Sequence, residues 1–146
     1  MYICRVENTF IYANVSEEYK DDVNAFIKSF GYSIEGLKYA YKYEQSMLIH
    51  VIATILVITA NILLKVQALE WLVTIIAIGM VLSAELINTA IEAIVDMVTL
   101  EFHPLAKIAK DCGSAATFVL AVMAAAIGCF VYIPYIPTIL KGLGIL

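Results

Sequence analysis

Glu85, Asn88, Glu92 and Asp96 stand in the run Glu85-Leu-Ile-Asn-Thr-Ala-Ile-Glu92-Ala-Ile-Val-Asp96, inside an apolar stretch that begins near Trp71. At ~100° of rotation per residue, a helix gathers the four within roughly 80° on one face. Their neighbours are Leu, Ile, Val, Ala and Met, so the stripe is no ordinary solvated surface. Ionisable groups in a membrane-length segment are expensive and mark function by default. Helix–helix glue is usually Ser, Thr, Asn or Gln, and three carboxylates exceed that need. The chemistry open to them is cation binding by Glu92, with Asp96 as a further ligand or a support. Glu85 is placed to act as a base, with Asn88 positioning a donor or acceptor. In low dielectric a carboxylate gains affinity for a proton, which suits proton abstraction near neutral pH.

Other charged residues gain meaning beside this stripe. Glu44 precedes the first apolar span by three residues and alone reads as a solvated helix end. Paired with Glu92 it offers a second carboxylate, and Mg²⁺ commonly takes one or two carboxylates plus substrate phosphates. Lys110-Asp111 precedes the third span, either as an anchor with its counter-ion or as a phosphate-binding pair. Glu101 and His103 share that connector, but Glu-x-His differs from the Glu-x-x-His spacing of di-iron bundles. His50, one turn into the first span, is expected to be structural and hydrogen-bonded. Asn61, near the far end of that span, is expected to pack against a neighbour. Cys4, Cys112 and Cys129 show no paired spacing and receive no redox or metal role. Neither G-x-x-x-x-G-K-[ST] nor G-x-G-x-x-G occurs, and the scattered basic residues form no nucleic-acid surface.

Hydrophobic residues make up 62% of the 146 and charged residues 15%, well apart from the roughly 45–50% and 25% of globular domains. The reading is one all-α integral membrane domain with three spans, over 47–65, 69–100 and 110–135. An amphipathic helix over 23–45 precedes them. It sets Val23, Phe26, Ile27, Phe30, Ile34, Leu37 and Tyr41 against Lys28, Ser29, Glu35, Lys38 and Lys42. Such a helix lies along the membrane interface, as an anchor or as a lid over a site. Pro104 suits the first turn of a new helix. Gly113-Ser-Ala-Ala lets helices approach closely. No h-region marks a cleavable signal peptide, and residues 1–22 read as an extension. Arg5, Lys20, Lys28, Lys38 and Lys42 precede span one, and Lys107 and Lys110 follow span two. Lys65 and Lys141 lie on the other side. The positive-inside rule then places the N-terminus and the span two–three loop in the cytoplasm of a multi-pass cell-membrane protein.

Together these residues resemble the small prokaryotic lipid kinases of the diacylglycerol kinase/undecaprenol kinase family. The resemblance covers about 110 residues, from near Phe26 to Tyr135. It is carried by Glu85-x-x-Asn-Thr-Ala-Ile-Glu-x-x-Val-Asp96, Ser29-Phe-Gly-Tyr-Ser-Ile-Glu-Gly-Leu37, Tyr43-Glu44, His103 and Ala109-Lys-Asp-x-Gly-Ser-Ala-Ala116. It implies a membrane lipid kinase domain over 23–146, assembled as a homotrimer with composite sites between chains. It further implies Mg²⁺-ATP as phosphoryl donor and a lipid alcohol as acceptor, in contact with membrane lipids. By position, Glu85 would be the base on the lipid hydroxyl, and Glu44 and Glu92 the metal carboxylates at the nucleotide. Tyr32, Glu101, Phe102, His103, Lys110 and Asp111 would contact the nucleotide, with Asn88 and Asp96 in support. Ala25 stands where some members carry a basic residue, and Pro104 and Lys107 alter the nucleotide loop.

Phosphoryl transfer needs positioning and charge stabilisation more than covalent chemistry from the protein, and carboxylates at a membrane edge fit that need. His50 and the Tyr-Ile-Pro-Tyr-Ile tail resemble the Gram-positive-type branch, which favours undecaprenol over diacylglycerol. The rival from another class is a small oligomeric proton or cation pathway lined by Glu85, Glu92 and Asp96. It leaves Glu44, Lys110-Asp111 and the amphipathic helix without a role. A non-catalytic assembly subunit leaves the stripe itself unexplained.

Overall fold

A computed structural model describes residues 24–142. The extension expected over 1–22, with Cys4, and Val23 lie outside the described residues. The chain divides into two compact units, Met1–Tyr39 and Ala40–Leu146. The described part of the first unit is helical, in a helix α1 over residues 24–43. Phe26 and Phe30, one turn apart on it, meet edge to face with ring centroids 5.1 Å apart. Ser29 and Ser33 return their hydroxyls to the carbonyls of Phe26 and Ser29.

The second unit holds three long apolar helices: α2 (Gln45–Leu64), α3 (Ala68–Val98) and α4 (Pro104–Tyr132). A 3₁₀ turn (Ile133–Tyr135) and a short α5 (Ile136–Gly142) follow. All three long helices are long and apolar enough to cross a membrane. The architecture is all-helical with three candidate spans.

Local chemistry sets the boundaries. Lys65 adopts the left-handed conformation (φ 53°) that closes α2, its N–H reaching back to carbonyls of the last turn. Gln67 and Glu70 form a reciprocal capping box that starts α3. The Tyr135 hydroxyl donates to the same Glu70 carboxylate at 2.6 Å, tying the tail to that turn. Pro104 occupies the first turn of α4, where its missing N–H costs nothing. His103 caps that helix by accepting from the Leu105 N–H at 3.3 Å.

The burial pattern inverts that of a soluble protein. Asn61, Thr74, Glu85, Asn88, Thr89 and Thr117 are buried, while Ile55, Leu56, Leu63, Ile75 and Phe118 point outward. In lipid, apolar faces need no cover and polar groups must be satisfied between helices. The Thr74 and Thr89 hydroxyls comply by bonding carbonyls one turn back. α3 and α4 pair extensively, and α2 touches α3 more sparsely.

Candidate active site

α3 is 31 residues long, about 46 Å of rise against a hydrocarbon core of about 30 Å. The helix is therefore longer than the core requires, and Glu85, Glu92 and Asp96 all lie in its second half.

Glu85 is 2% exposed. The Ser46 hydroxyl donates to its Oε1, and His50 Nε2 lies 3.8 Å from its Oε2. Both partners come from α2 and stand four residues apart, so they share one face of that helix. His50 thus faces Glu85 at more than hydrogen-bond distance. Ser46 has no counterpart in the sequence reading. The signal that could have found it is its i, i+4 relation to His50.

One turn further along α3, Asn88 Nδ2 donates to Glu92 Oε1 at 2.9 Å. Asn88 is 8% exposed, and among the described residues nothing donates to its buried Oδ1. That oxygen occupies the space a Cβ at Gly113 would need. The small residue expected to permit close approach is thus what admits Asn88 between α3 and α4.

Glu44, the half-buried residue preceding α2, joins this group electrostatically. Desolvation pushes its pKa above the ordinary carboxylate value, the negative charges of Glu92 and Glu85 push it further, and Lys110 opposes them. The three carboxylates therefore share one field that a cation would relieve. No cluster of three or more His, Cys, Asp or Glu side chains able to hold a metal occurs among the described residues. A cation here would complete its shell with oxygens from elsewhere, as Mg²⁺ does with phosphates. Glu44 and Glu92 are oxygen donors of the kind such an ion takes.

At the turn between α3 and α4, a depression of about 510 Å³ gathers Asp96, Glu101, Phe102, His103, Lys110 and Asp111. Lys110 pairs with Asp96 at 2.6 Å across the turn, and Asp111 pairs with Lys107. Lys110 and Asp111 therefore take separate partners instead of forming a unit, because adjacent helical residues point about 100° apart. Thr99 braces the turn by exchanging hydrogen bonds with the Glu101 backbone. Phe102 is 82% exposed above it. Tyr32 is exposed and belongs to the first unit. Cys112 and Cys129 are free thiols.

Residues 31–132 match the family described as prokaryotic diacylglycerol kinase. An undecaprenol kinase of Bacillus subtilis (strain 168) is 35% identical over 119 residues, 82% of this chain and 97% of that protein. A diacylglycerol kinase of Escherichia coli (strain K12) is 35% identical over 103 residues, 70% of this chain and 84% of that one. One from Pseudomonas aeruginosa is 44% identical over 89 residues, 61% of this chain and 72% of its own. With the match spanning all three long helices and the depression between α3 and α4, the chain belongs to the prokaryotic diacylglycerol kinase family, membrane lipid kinases that draw their phosphoryl group from ATP.

Proposed function

We propose that the chain phosphorylates undecaprenol, with diacylglycerol as the weaker acceptor, and that Glu85 takes the proton from the lipid hydroxyl. The observation that carries this reading is the order along α3: Glu85 is buried between helices, and Glu92 lies about 10 Å further along the helix, which in the proposed placement is the side nearer water. A lipid hydroxyl reaches Glu85 from the bilayer, while a nucleotide reaches Glu92 and Glu44 from water.

In this mechanism Ser46 holds one oxygen of Glu85 and leaves the other facing His50 and the incoming hydroxyl. Proton transfer to Glu85 frees the lipid oxygen to attack the terminal phosphorus of ATP, and the new ester bond forms as the bond to the bridging oxygen breaks and ADP leaves. Asn88 orients Glu92. Lys110, drawn from Asp96, positions the phosphates, and Glu101, Phe102, His103 and Asp111 contact the remainder of the nucleotide. Glu44 and Glu92 would hold Mg²⁺, which supplies charge neutralisation on the phosphates. We further propose a homotrimer with sites shared between chains, and a cytoplasmic placement of the N-terminus and the α3–α4 turn. The many outward apolar side chains of the spans support burial against lipid or further copies.

The test is a labelled-ATP assay on purified protein in lipid micelles, offering undecaprenol and diacylglycerol in competition. Label should enter undecaprenol first. Preferential labelling of diacylglycerol would reverse the acceptor assignment. ATP-independent ion flux in liposomes, with no labelled lipid, would favour the cation-pathway alternative.

A further inference from the structure

α2 is fastened to its neighbours at two polar points with an apolar gap between them. One is the contact of Ser46 and His50 with Glu85. At the other, Asn61 Nδ2 donates to Thr74 Oγ1 at 2.8 Å, and the Tyr132 hydroxyl donates to Asn61 Oδ1 at 2.6 Å. Thr74 and Glu85 are separated by about 16 Å of helix rise. Between these fastenings lies a cavity of about 310 Å³, walled by all three spans and reaching from His50 to Tyr132. Its walls carry Ala53, Ala77, Ala121 and Gly128, so small side chains leave the space open.

The few polar wall groups are already engaged. The Thr54 hydroxyl donates to the His50 carbonyl and the Thr74 hydroxyl to the Glu70 carbonyl. The Tyr132 hydroxyl is held by Asn61 and the Val57 carbonyl. At the opposite end the cavity reaches His50, whose Nε2 faces Glu85 at 3.8 Å.

We propose that this cavity receives the hydrocarbon that follows the hydroxyl of the lipid alcohol, and that it selects a polyprenol over a glycerolipid. The inference rests on reading Glu85 as the group that meets the hydroxyl. A chain whose hydroxyl lies at Glu85 runs away from Glu92 into the membrane, which is the direction the cavity takes. Its volume is about twice that of a cavity known to hold benzene, enough for the first units of the chain only. The Tyr132–Asn61–Thr74 fastening closes the far end, so the remainder leaves sideways into lipid. A prenol places pure hydrocarbon against these walls. A diacylglycerol places ester oxygens a few atoms from its hydroxyl, among walls whose hydroxyls already donate elsewhere, and burying unpaired polar groups weakens binding by about tenfold or more.

The full chain in lipid micelles tests this in two ways. Ala121→Leu fills the cavity. It should raise KM for undecaprenol at least about tenfold, while kcat on a single-isoprene prenol and KM for ATP stay unchanged. Equal losses on both alcohols, or none on undecaprenol, would overturn the assignment. Independently, wild-type protein is irradiated with a polyprenol bearing a diazirine in its second isoprene unit. Label should fall on residues 50–57 or 121–132. Label confined to outward-facing residues such as Phe118 would mean the chain lies in bulk lipid and would overturn the proposal. Labelling is read without turnover. A cavity-labelled protein that phosphorylates no alcohol would therefore sink the Glu85 reading alone.

Discussion

Asn88 Oδ1 sits in the space that a side chain at Gly113 would fill, and the Nδ2 of the same amide holds Glu92. A contact between α3 and α4 thus reaches the proposed metal carboxylate through one side chain. Gly113→Ala should overpack this contact, costing about 1–3 kcal/mol of stability, and should raise KM for Mg²⁺-ATP by shifting Glu92. Unfolding in mixed micelles and steady-state kinetics check both. Wild-type values in both would show that Asn88 does not couple the helices to Glu92.

Ser46 is the donor to a carboxylate buried between helices. Ser46→Ala should lower kcat about tenfold or more, since a hydrogen bond to a charged group contributes about 1.5–3 kcal/mol. KM for ATP should not move. A variant that loses ATP affinity instead would place Ser46 at the nucleotide.

The Lys110–Asp96 pair is half exposed, so its worth as a stabilising bridge is about 0–1 kcal/mol. Lys110→Met should therefore leave stability nearly unchanged while raising KM for ATP roughly tenfold or more, because a phosphate loses its cation. A large stability loss with normal ATP affinity would make the pair purely structural.

Glu44 supplies a pH dependence. Its folded-state pKa lies above the ordinary value because of desolvation and its acidic neighbours. A raised carboxylate pKa means that the folded protein holds that proton more tightly than the unfolded chain. The associated stability is complete below the ordinary carboxylate pKa and is lost as pH rises through the raised one. Without Mg²⁺, stability should fall over that window, and Glu44→Gln should flatten the fall. Mg²⁺ should restore stability at neutral pH and have little effect in acid. Thermal unfolding against pH, with Mg²⁺ or with chelator, reads this directly. An equal Mg²⁺ effect at both ends would remove Glu44 from the ion.

Much of the architecture was legible because lipid makes sequence patterns blunt. The long apolar runs around Ile55 and Val119 read as candidate spans, and Pro104 announced the start of α4. The Glu85–Asp96 spacing declared one shared face. The partners were harder to see, because they depend on how helices rotate against one another. Ser46 is a common helix residue, and only the docking of α2 turns it toward Glu85. Lys110 and Asp111 read as a pair in one dimension, yet the α3–α4 turn gives Lys110 to Asp96 instead. The cavity behind His50 is a product of small residues on three helices, and no single segment records it.

The central claim is that Glu85 serves the lipid proton while Glu44 and Glu92 serve the nucleotide. Glu85→Gln in purified, folded protein tests it most directly, with ATP binding and lipid phosphorylation measured on the same sample. The account predicts ATP affinity close to wild type and phosphorylation reduced roughly 10²–10⁴-fold, the contribution of a positioned base. Lost ATP binding, or phosphorylation at the wild-type rate, would contradict it.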